Sequence, residues 1–458
     1  MSVLTSHLFS WLNLGAKDSL RSHLIKDSIG SFIIKSCGLV LQLIAGILIA
    51  RSLGVAGYGT YAYALAIINL ITIPTVIGLP QLITRNVAVY HVKNEFGLIR
   101  GLLVRANQAV FMLSLIMVLI ALSISLIFSH GFDNVRFQTF LISLILLPIL
   151  ALKNLRMAAL RGLKHVVLSL MPEMLFRRGF FIILILIGII FLPSGISPQL
   201  VIIFQVSAAS IAFLLGIVFL LHALPKETKT AVSEFETRAW LKSALPFMLL
   251  GAMQIVNTQT DIVMLGIFRS VEEVGIYRAV VQGATLVAFI LTMVNMVLSP
   301  TIASLYAKGD KKRLQRVVTY SARAILAGTF PIILVFIFWG RWLLITLFGR
   351  EFGDGTIALS ILCFGQLVNA SMGSVALILN MTGHERDTAR GVAIAAVLNI
   401  IVNAMLIPKF GMQGAAVASV ISLITWNILM FIWVYRRIGV VSVAFGVNLM
   451  LGRNKAKA

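Results

Sequence analysis

Charge is scarce in this chain, and acidic charge scarcest of all. Asp, Glu, Lys and Arg make up 12% of 458 residues, and only 16 are Asp or Glu. Ordinary soluble domains are about one quarter charged, so a fold wetted on all sides is excluded. Cysteine is almost absent. Cys37 and Cys363 fall in apolar stretches of opposite halves with no metal-ligand spacing around them, which argues for helix packing and against redox chemistry. The seven histidines form no HxxxH or similar cluster, so no metal site is expected. The first residues lack the compact apolar core of a cleaved signal peptide and instead alternate Trp11, Leu12, Leu20 and Leu24 with Lys17, Asp18, Arg21 and Lys26. That pattern suits a helix lying on a membrane surface.

What the chain has in plenty is apolar sequence, 59% of its residues. A membrane-spanning helix needs ~20 of them in a row. Twelve such spans are expected, at 29–51, 59–84, 105–129, 137–160, 166–192, 198–222, 241–268, 275–305, 318–347, 355–382, 389–408 and 411–435. The fold class is therefore an all-α polytopic membrane protein with two six-helix bundles around a central cavity. Connections after odd-numbered spans hold 7 basic residues and the opposite side holds 28. Excess Lys and Arg mark the cytoplasmic face, which puts both termini there. Most of the net charge of +22 is then topology and no sign of a nucleic-acid partner. The expected organisation is an interfacial helix (1–28), a first bundle (29–224), a polar cytoplasmic linker (225–240), a second bundle (241–436) and a basic cytoplasmic tail (437–458). Residues 439–451 are too short to span with ease and are placed at the interface, a thirteenth span being the alternative.

The halves carry a faint repeat. GVAGYGTYAYA at 54–64 follows the first span and SVEEVGIYRAV at 270–280 follows the seventh. A shift of 216 residues lays Val55 on Val271, Gly59 on Gly275 and Tyr61 on Tyr277. Because each half has an even number of spans, the repeats run parallel, related by an axis along the membrane normal.

Four stretches resemble a known family: ARSLGVAGYGTYAYA (50–64), IGLPQLITRNVA (77–88), DIVMLGIFRSVEEVGIYRA (261–279) and LIPKFGMQGAAVASVIS (406–422). In the last, Pro408 and Gly411 end one helix, while Gly414, Ala415 and Ala416 permit close packing of the next. Together, and in order from about 29 to 436, they resemble the Wzx-type polysaccharide flippases of the multidrug/oligosaccharidyl-lipid/polysaccharide exporter superfamily. The resemblance implies a bacterial or archaeal plasma-membrane (inner-membrane) protein. It would move undecaprenyl-pyrophosphate-linked oligosaccharide repeat units to the outer leaflet by alternating access, without cofactors and without catalysing a reaction. Implied partners are the lipid-linked oligosaccharide, membrane lipids, a polysaccharide polymerase and a chain-length regulator. A multidrug or cation antiporter of the same superfamily is one alternative. A membrane polysaccharide polymerase or ligase is another, disfavoured by short outer connections that offer no convergent acid and base.

Charges inside the spans are the candidate site residues, since each is costly in hydrocarbon. Lys35 lies in the first span, where it either snorkels to the interface or faces the cavity. Arg177 and Arg178 lie deep in the fifth, with Glu173 one turn before Arg177 and on its face. Guanidinium binds phosphate through paired donors, so Arg178, Lys35 and Arg177 are expected at the pyrophosphate, and Arg51 and Arg278 near the outer ends could receive it next. Arg85 reads as an interfacial anchor. Asp261 interrupts the seventh span, and Asn399, Asn403 and Ser419 reach a similar depth on the eleventh and twelfth. The resemblance sharpens this, since the related lipid II flippase has a sodium site on these helices whose motif positions fall on Asp261, Asn399, Asn403 and Ser419. A second carboxylate expected there is Asn403 here, so the coupling ion is left as Na+ or H+. Sugar contacts are expected from scattered residues such as Gln205, Gln254, Gln282, Asn295 and Gln366.

Overall fold

The computed structural model describes residues 20–127, 134–192 and 195–444, and everything regular in them is helix. In chain order these are α1 (Leu20–Val76), α2 (Leu79–Lys93), α3 (Phe96–Ile127), α4 (Asn134–Ser143), α5 (Leu146–Gly162) and α6 (Val166–Met171). A π-turn (Pro172–Phe176) leads into α7 (Arg177–Phe191), followed by α8 (Pro198–Ala223) and the short α9 (Lys226–Thr230). The second half holds α10 (Thr237–Phe268), α11 (Val271–Ala307), α12 (Lys311–Phe348), a 3₁₀ turn (Arg350–Gly355), α13 (Thr356–Met372), α14 (Val375–Met381) and α15 (Glu385–Ile438).

Nine segments among the described residues are long and apolar enough to cross a membrane. Two of these, Ile29–Val76 and Glu385–Ile438, are hairpins bent at glycines of positive φ, Gly54 (67°) and Gly411 (54°). Both arms of the first line one cavity, with Gln42 and Ile49 on one arm and Tyr58 and Asn69 on the other. In the second, Gly414 lies against the Leu406 carbonyl across the bend. Each hairpin supplies two spans. With α10, made less apolar by Asn257–Asp261, the twelve expected spans are accounted for.

Two of them are shorter than hydropathy suggests. The second stops at Val76, because Ile77 (φ 42°) and Gly78 (φ 68°) turn the chain before α2 restarts with Pro80 in its first turn. Gly78 sits against the backbone of Ala244 and Met248 in α10, where a side chain has no room. The tenth breaks at Gly373 (φ 70°), where an added Cβ would come within 2.9 Å of the Ser442 carbonyl. Both breaks lie in apolar sequence, so composition cannot reveal them. At the N-terminus, residues 1–19 of the expected interfacial helix lie outside the described residues, and from Leu20 the helix runs unbroken into the first span. Residues 440–444 turn back against the second half: Gln315 bonds both the N–H and the carbonyl of Val441, and Arg323 donates to the Ala444 carbonyl. Residues 445–451 lie outside the described residues.

The repeat acquires a physical meaning at the seam between the halves. A Cβ on Gly59 would collide with the Val271 carbonyl and stand 3.0 Å from the Gly275 nitrogen. A Cβ on Gly275 would collide with the Val55 carbonyl and stand 3.0 Å from the Gly59 nitrogen. The contact is reciprocal between residues 216 apart, as a two-fold axis between the halves requires. Around it one apolar core runs from Ala45, Ile49 and Tyr61 of the first half to Ile262, Tyr277 and Ala415 of the second. Gly275→Val is expected to overpack this seam at a cost of ~1–3 kcal/mol. The purified protein should then melt at lower temperature, while Gly328→Val, whose new Cβ would reach only Ile290 at 3.5 Å, should not.

Candidate functional site

Two groups of buried polar residues meet on α11. The first surrounds a cavity of about 250 Å³ lined by Lys153, Glu173, Arg177, Arg178 and Arg278. Lys153 comes from α5, Glu173 from the π-turn, Arg177 and Arg178 from the start of α7, and Arg278 from the second half. Glu173 bridges two cations with a single oxygen: its Oε1 lies 2.6 Å from Lys153 Nζ and 2.7 Å from Arg177 Nε. Arg178 donates to the Gly38 carbonyl, and Arg278 faces the Tyr58 hydroxyl. Gln282, one turn after Arg278, donates to the Gln42 carbonyl at 2.7 Å and accepts from Tyr58 at 3.2 Å. The second half thus reaches between the arms of α1. Four cations and one carboxylate line this cavity.

The structure therefore brings Arg177, Arg178 and Arg278 together and leaves two of the other expected cations apart. Lys35 is half-buried on α1, outside the cavity lining and facing Arg161. Arg51 is exposed, with Nε donating to the Leu347 carbonyl at 2.9 Å and a second nitrogen to the Thr346 carbonyl. It caps the C-terminal end of α12, where a cation is favoured. Lys153, counted in the sequence among boundary charges, instead lines the cavity. Its neighbour Arg156 is also internal, 7% exposed, stacked 3.6 Å from the Phe213 ring and bonded to the Phe213 carbonyl. Arg85 is more than an anchor. With Arg161, Gln81, Thr84 and Asn154 it lines a larger cavity of about 690 Å³ against α10. The two cavities share α5, with Lys153 facing one and Asn154 the other. Of the scattered amides, Gln205 and Gln282 line the smaller cavity, whereas Asn295 accepts from Ser374 and Gln366 from Asn369.

The second group is a closed network around Asp261, which is 6% exposed. Asn403 donates to its Oδ1 at 2.7 Å, Tyr277 donates to its Oδ2 at 2.9 Å, and Ser419 donates to the same Oδ2. Asn403 also donates to Asn399 Oδ1 at 3.0 Å. All four expected residues meet here. Tyr277 is the member that sequence reading missed, although the G-x-Y repeat had singled it out. The donor set is one carboxylate and neutral oxygens, which suits a monovalent cation or a proton. One further atom fits that reading: Asn403 Oδ1 is buried without a hydrogen-bond partner, and turning that amide over would present an oxygen beside Asp261 and Asn399. Among the described residues no group of three His, Cys, Asp or Glu could hold a metal ion.

A hydrogen bond to a buried charged group is worth about 1.5–3 kcal/mol. Tyr277→Phe, which keeps the ring and removes one donor to Asp261, is expected to lower the melting temperature. The double variant Tyr277→Phe/Asp261→Asn should melt closer to wild type than additivity predicts, because the unmet charge is gone. A fully additive result would show that the two side chains act independently.

Comparison with known proteins gives concordant results. The family described as Polysaccharide biosynthesis protein matches residues 24–306, and the MatE family matches 246–405. A Haloferax volcanii protein named "Probable low-salt glycan biosynthesis flippase" is 23% identical over 410 residues, 87% of this chain and 81% of its own. Among solved structures, an inward-facing multidrug resistance transporter of the MATE family superposes with a TM-score of 0.70 at 15% identity, covering 88% of this chain and 94% of that one. The lipid II flippase MurJ in an inward closed conformation superposes with a TM-score of 0.67 at 15% identity, covering 90% and 87%. At that identity the likeness concerns the fold.

Proposed function

The chain belongs to the polysaccharide biosynthesis protein family, the flippases of the multidrug/oligosaccharidyl-lipid/polysaccharide exporter superfamily, and we propose that it carries diphosphate-linked oligosaccharides across a plasma membrane. The observation that carries this reading is the cavity in which Lys153, Arg177, Arg178 and Arg278 surround Glu173. An excess of cations at that depth is costly unless an anion is to be met there. The glycan-flippase relative supports a lipid-linked glycan as the cargo. At about 250 Å³ the cavity has room for a diphosphate but not for an oligosaccharide, drug-sized pockets being roughly 300–1,000 Å³. The sugars would occupy the adjoining 690 Å³ cavity with its amides and hydroxyls. Undecaprenol is the lipid we assign, with loading from the cytoplasmic side and release in the outer leaflet. A polysaccharide polymerase and a chain-length regulator would act on what is delivered.

Coupling to an ion gradient is supported by the position of Tyr277. It bonds Asp261 and lies two residues from Gly275, which touches the first half at the pseudo-two-fold axis. Arg278, the next residue, faces the anion cavity. A cation or proton at Asp261 would change what Tyr277 bonds and hence how α11 sits against the first half. Asp261, Asn399, Asn403 and Ser419 would hold that Na+ or H+. Recognition of a cationic drug is poorly served by four cations and one carboxylate, so the MatE match supports shared architecture and not shared cargo.

Arg178→Ala and Arg278→Ala are expected to abolish flipping of a lipid-diphosphate glycan in proteoliposomes and surface polymer in cells, with the protein still inserted. Normal polymer from Arg178→Ala would remove Arg178 from the site. In the same proteoliposomes Asp261→Asn should lose its response to imposed Na+ or H+ gradients. A full response would end the coupling assignment.

A further inference from the structure

Glu173 has no evident reason to stand in an anion site. A carboxylate among four cations weakens their hold on any anionic cargo, and Lys153 and Arg177 could have been omitted together with it. Its geometry suggests what it does. One oxygen occupies the point between Lys153 Nζ and Arg177 Nε, 2.6 and 2.7 Å away, which is where a phosphoryl oxygen of a cargo would sit. Glu173 is 13% exposed, and its neighbours in the ion pairs are 20% and 16% exposed. Arg178 and Arg278 line the same cavity and make no ion pair among the described residues. The site is therefore divided into one pair of cations already holding an anion and another pair that is not.

We infer that Glu173 is an internal competitor for the cargo's diphosphate, holding Lys153 and Arg177 when the cavity is empty and returning to them as the cargo leaves. This rests on reading the cavity as a diphosphate site. One phosphoryl group binds at Arg178 and Arg278 without displacing a carboxylate, and the second must take the place of Glu173. Exchange of one anion for another avoids leaving Lys153 and Arg177 bare beside each other in a low-dielectric interior. The same exchange in reverse loosens the cargo. The backbone supplies the freedom this needs. Glu173 lies in a π-turn, closed by the Arg177 N–H donating to the Pro172 carbonyl, and such single-turn bulges can revert to α-helical register and recur at functional sites. A register change of one residue rotates a side chain by about 100°, enough to withdraw the carboxylate from both cations.

The test uses the full chain in nanodiscs of neutral lipid, with inorganic pyrophosphate as the probe and binding read by equilibrium dialysis. Glu173→Gln should bind pyrophosphate about tenfold more tightly than wild type, the order expected when one of two charges competing for a close pair is neutralised. It should also flip lipid-diphosphate glycan more slowly, because release is no longer assisted. Binding equal to or weaker than wild type would overturn the inference. Should Glu173→Gln fail to fold, Glu173→Asp decides, since a shorter carboxylate cannot reach both cations. Tighter binding by it supports competition, and unchanged or weaker binding rejects it. Polyprenyl diphosphate in the disc should displace the bound pyrophosphate, and failure to do so would overturn the inference as a step in lipid transport. If Arg178→Ala/Arg278→Ala binds pyrophosphate as wild type does, the cavity itself has been misread, a failure separable from that of Glu173.

Discussion

Two glycines at a two-fold seam set how closely the halves approach, and the rest of the site inherits its geometry from them. With no side chain at Gly59 or Gly275, α11 lies at backbone distance from α1. At about 100° per residue, Gly275, Arg278 and Gln282 then share one face while Tyr277 points to the opposite one. One face of a single helix therefore touches the axis, reaches the cavity lined by Arg177 and Arg178 and inserts an amide between the arms of α1. The other face bonds Asp261. Nothing longer than these few turns joins cavity, seam and carboxylate.

The internal charges sort themselves by what meets them. Arg156 is held by an aromatic face and a carbonyl, in a space that Gly216 leaves open for it, since a Cβ there would stand 2.7 Å from its guanidinium. Arg51 ends α12. These are satisfied structural cations. Arg178 bonds the Gly38 carbonyl and Arg278 faces the Tyr58 hydroxyl, but both also line a cavity, and Asp261 is surrounded by neutral donors. Arg278 of the second half lines the same cavity as Arg177 and Arg178 of the first.

Much of this was legible in the chain. Hydropathy gives the twelve spans, and counting residues from the helix ends brings Asp261 to the depth of Asn399, Asn403 and Ser419. What stayed hidden has three physical origins. Glycine at positive φ can end a helix inside apolar sequence, as at Gly78 and Gly373, without changing composition. Rotation about a helix axis leaves the Glu173–Arg177 pair where helical spacing puts it, but that spacing gives no sign that Lys153 of another helix shares the same carboxylate oxygen. Lastly, Lys153 sits where a topology count expects a boundary charge, and only tertiary packing distinguishes a residue that faces lipid head groups from one that faces a cavity. Tyr277 is the instructive case. The repeat marked it, yet no periodicity shows that its hydroxyl ends on a carboxylate in the same half.

The seam has a consequence for the chain's symmetry. A patch that meets its own copy across a two-fold axis is the arrangement found between identical subunits, and a half-length chain could make it with a second copy of itself. In such a pair every substitution appears twice, so an acidic residue inside the membrane would appear twice as well. Joining the halves in one polypeptide removes that constraint. Position 45, equivalent to 261 under the repeat, is a buried alanine while its counterpart is Asp261. Covalent fusion is what lets a symmetric frame carry an asymmetric machine.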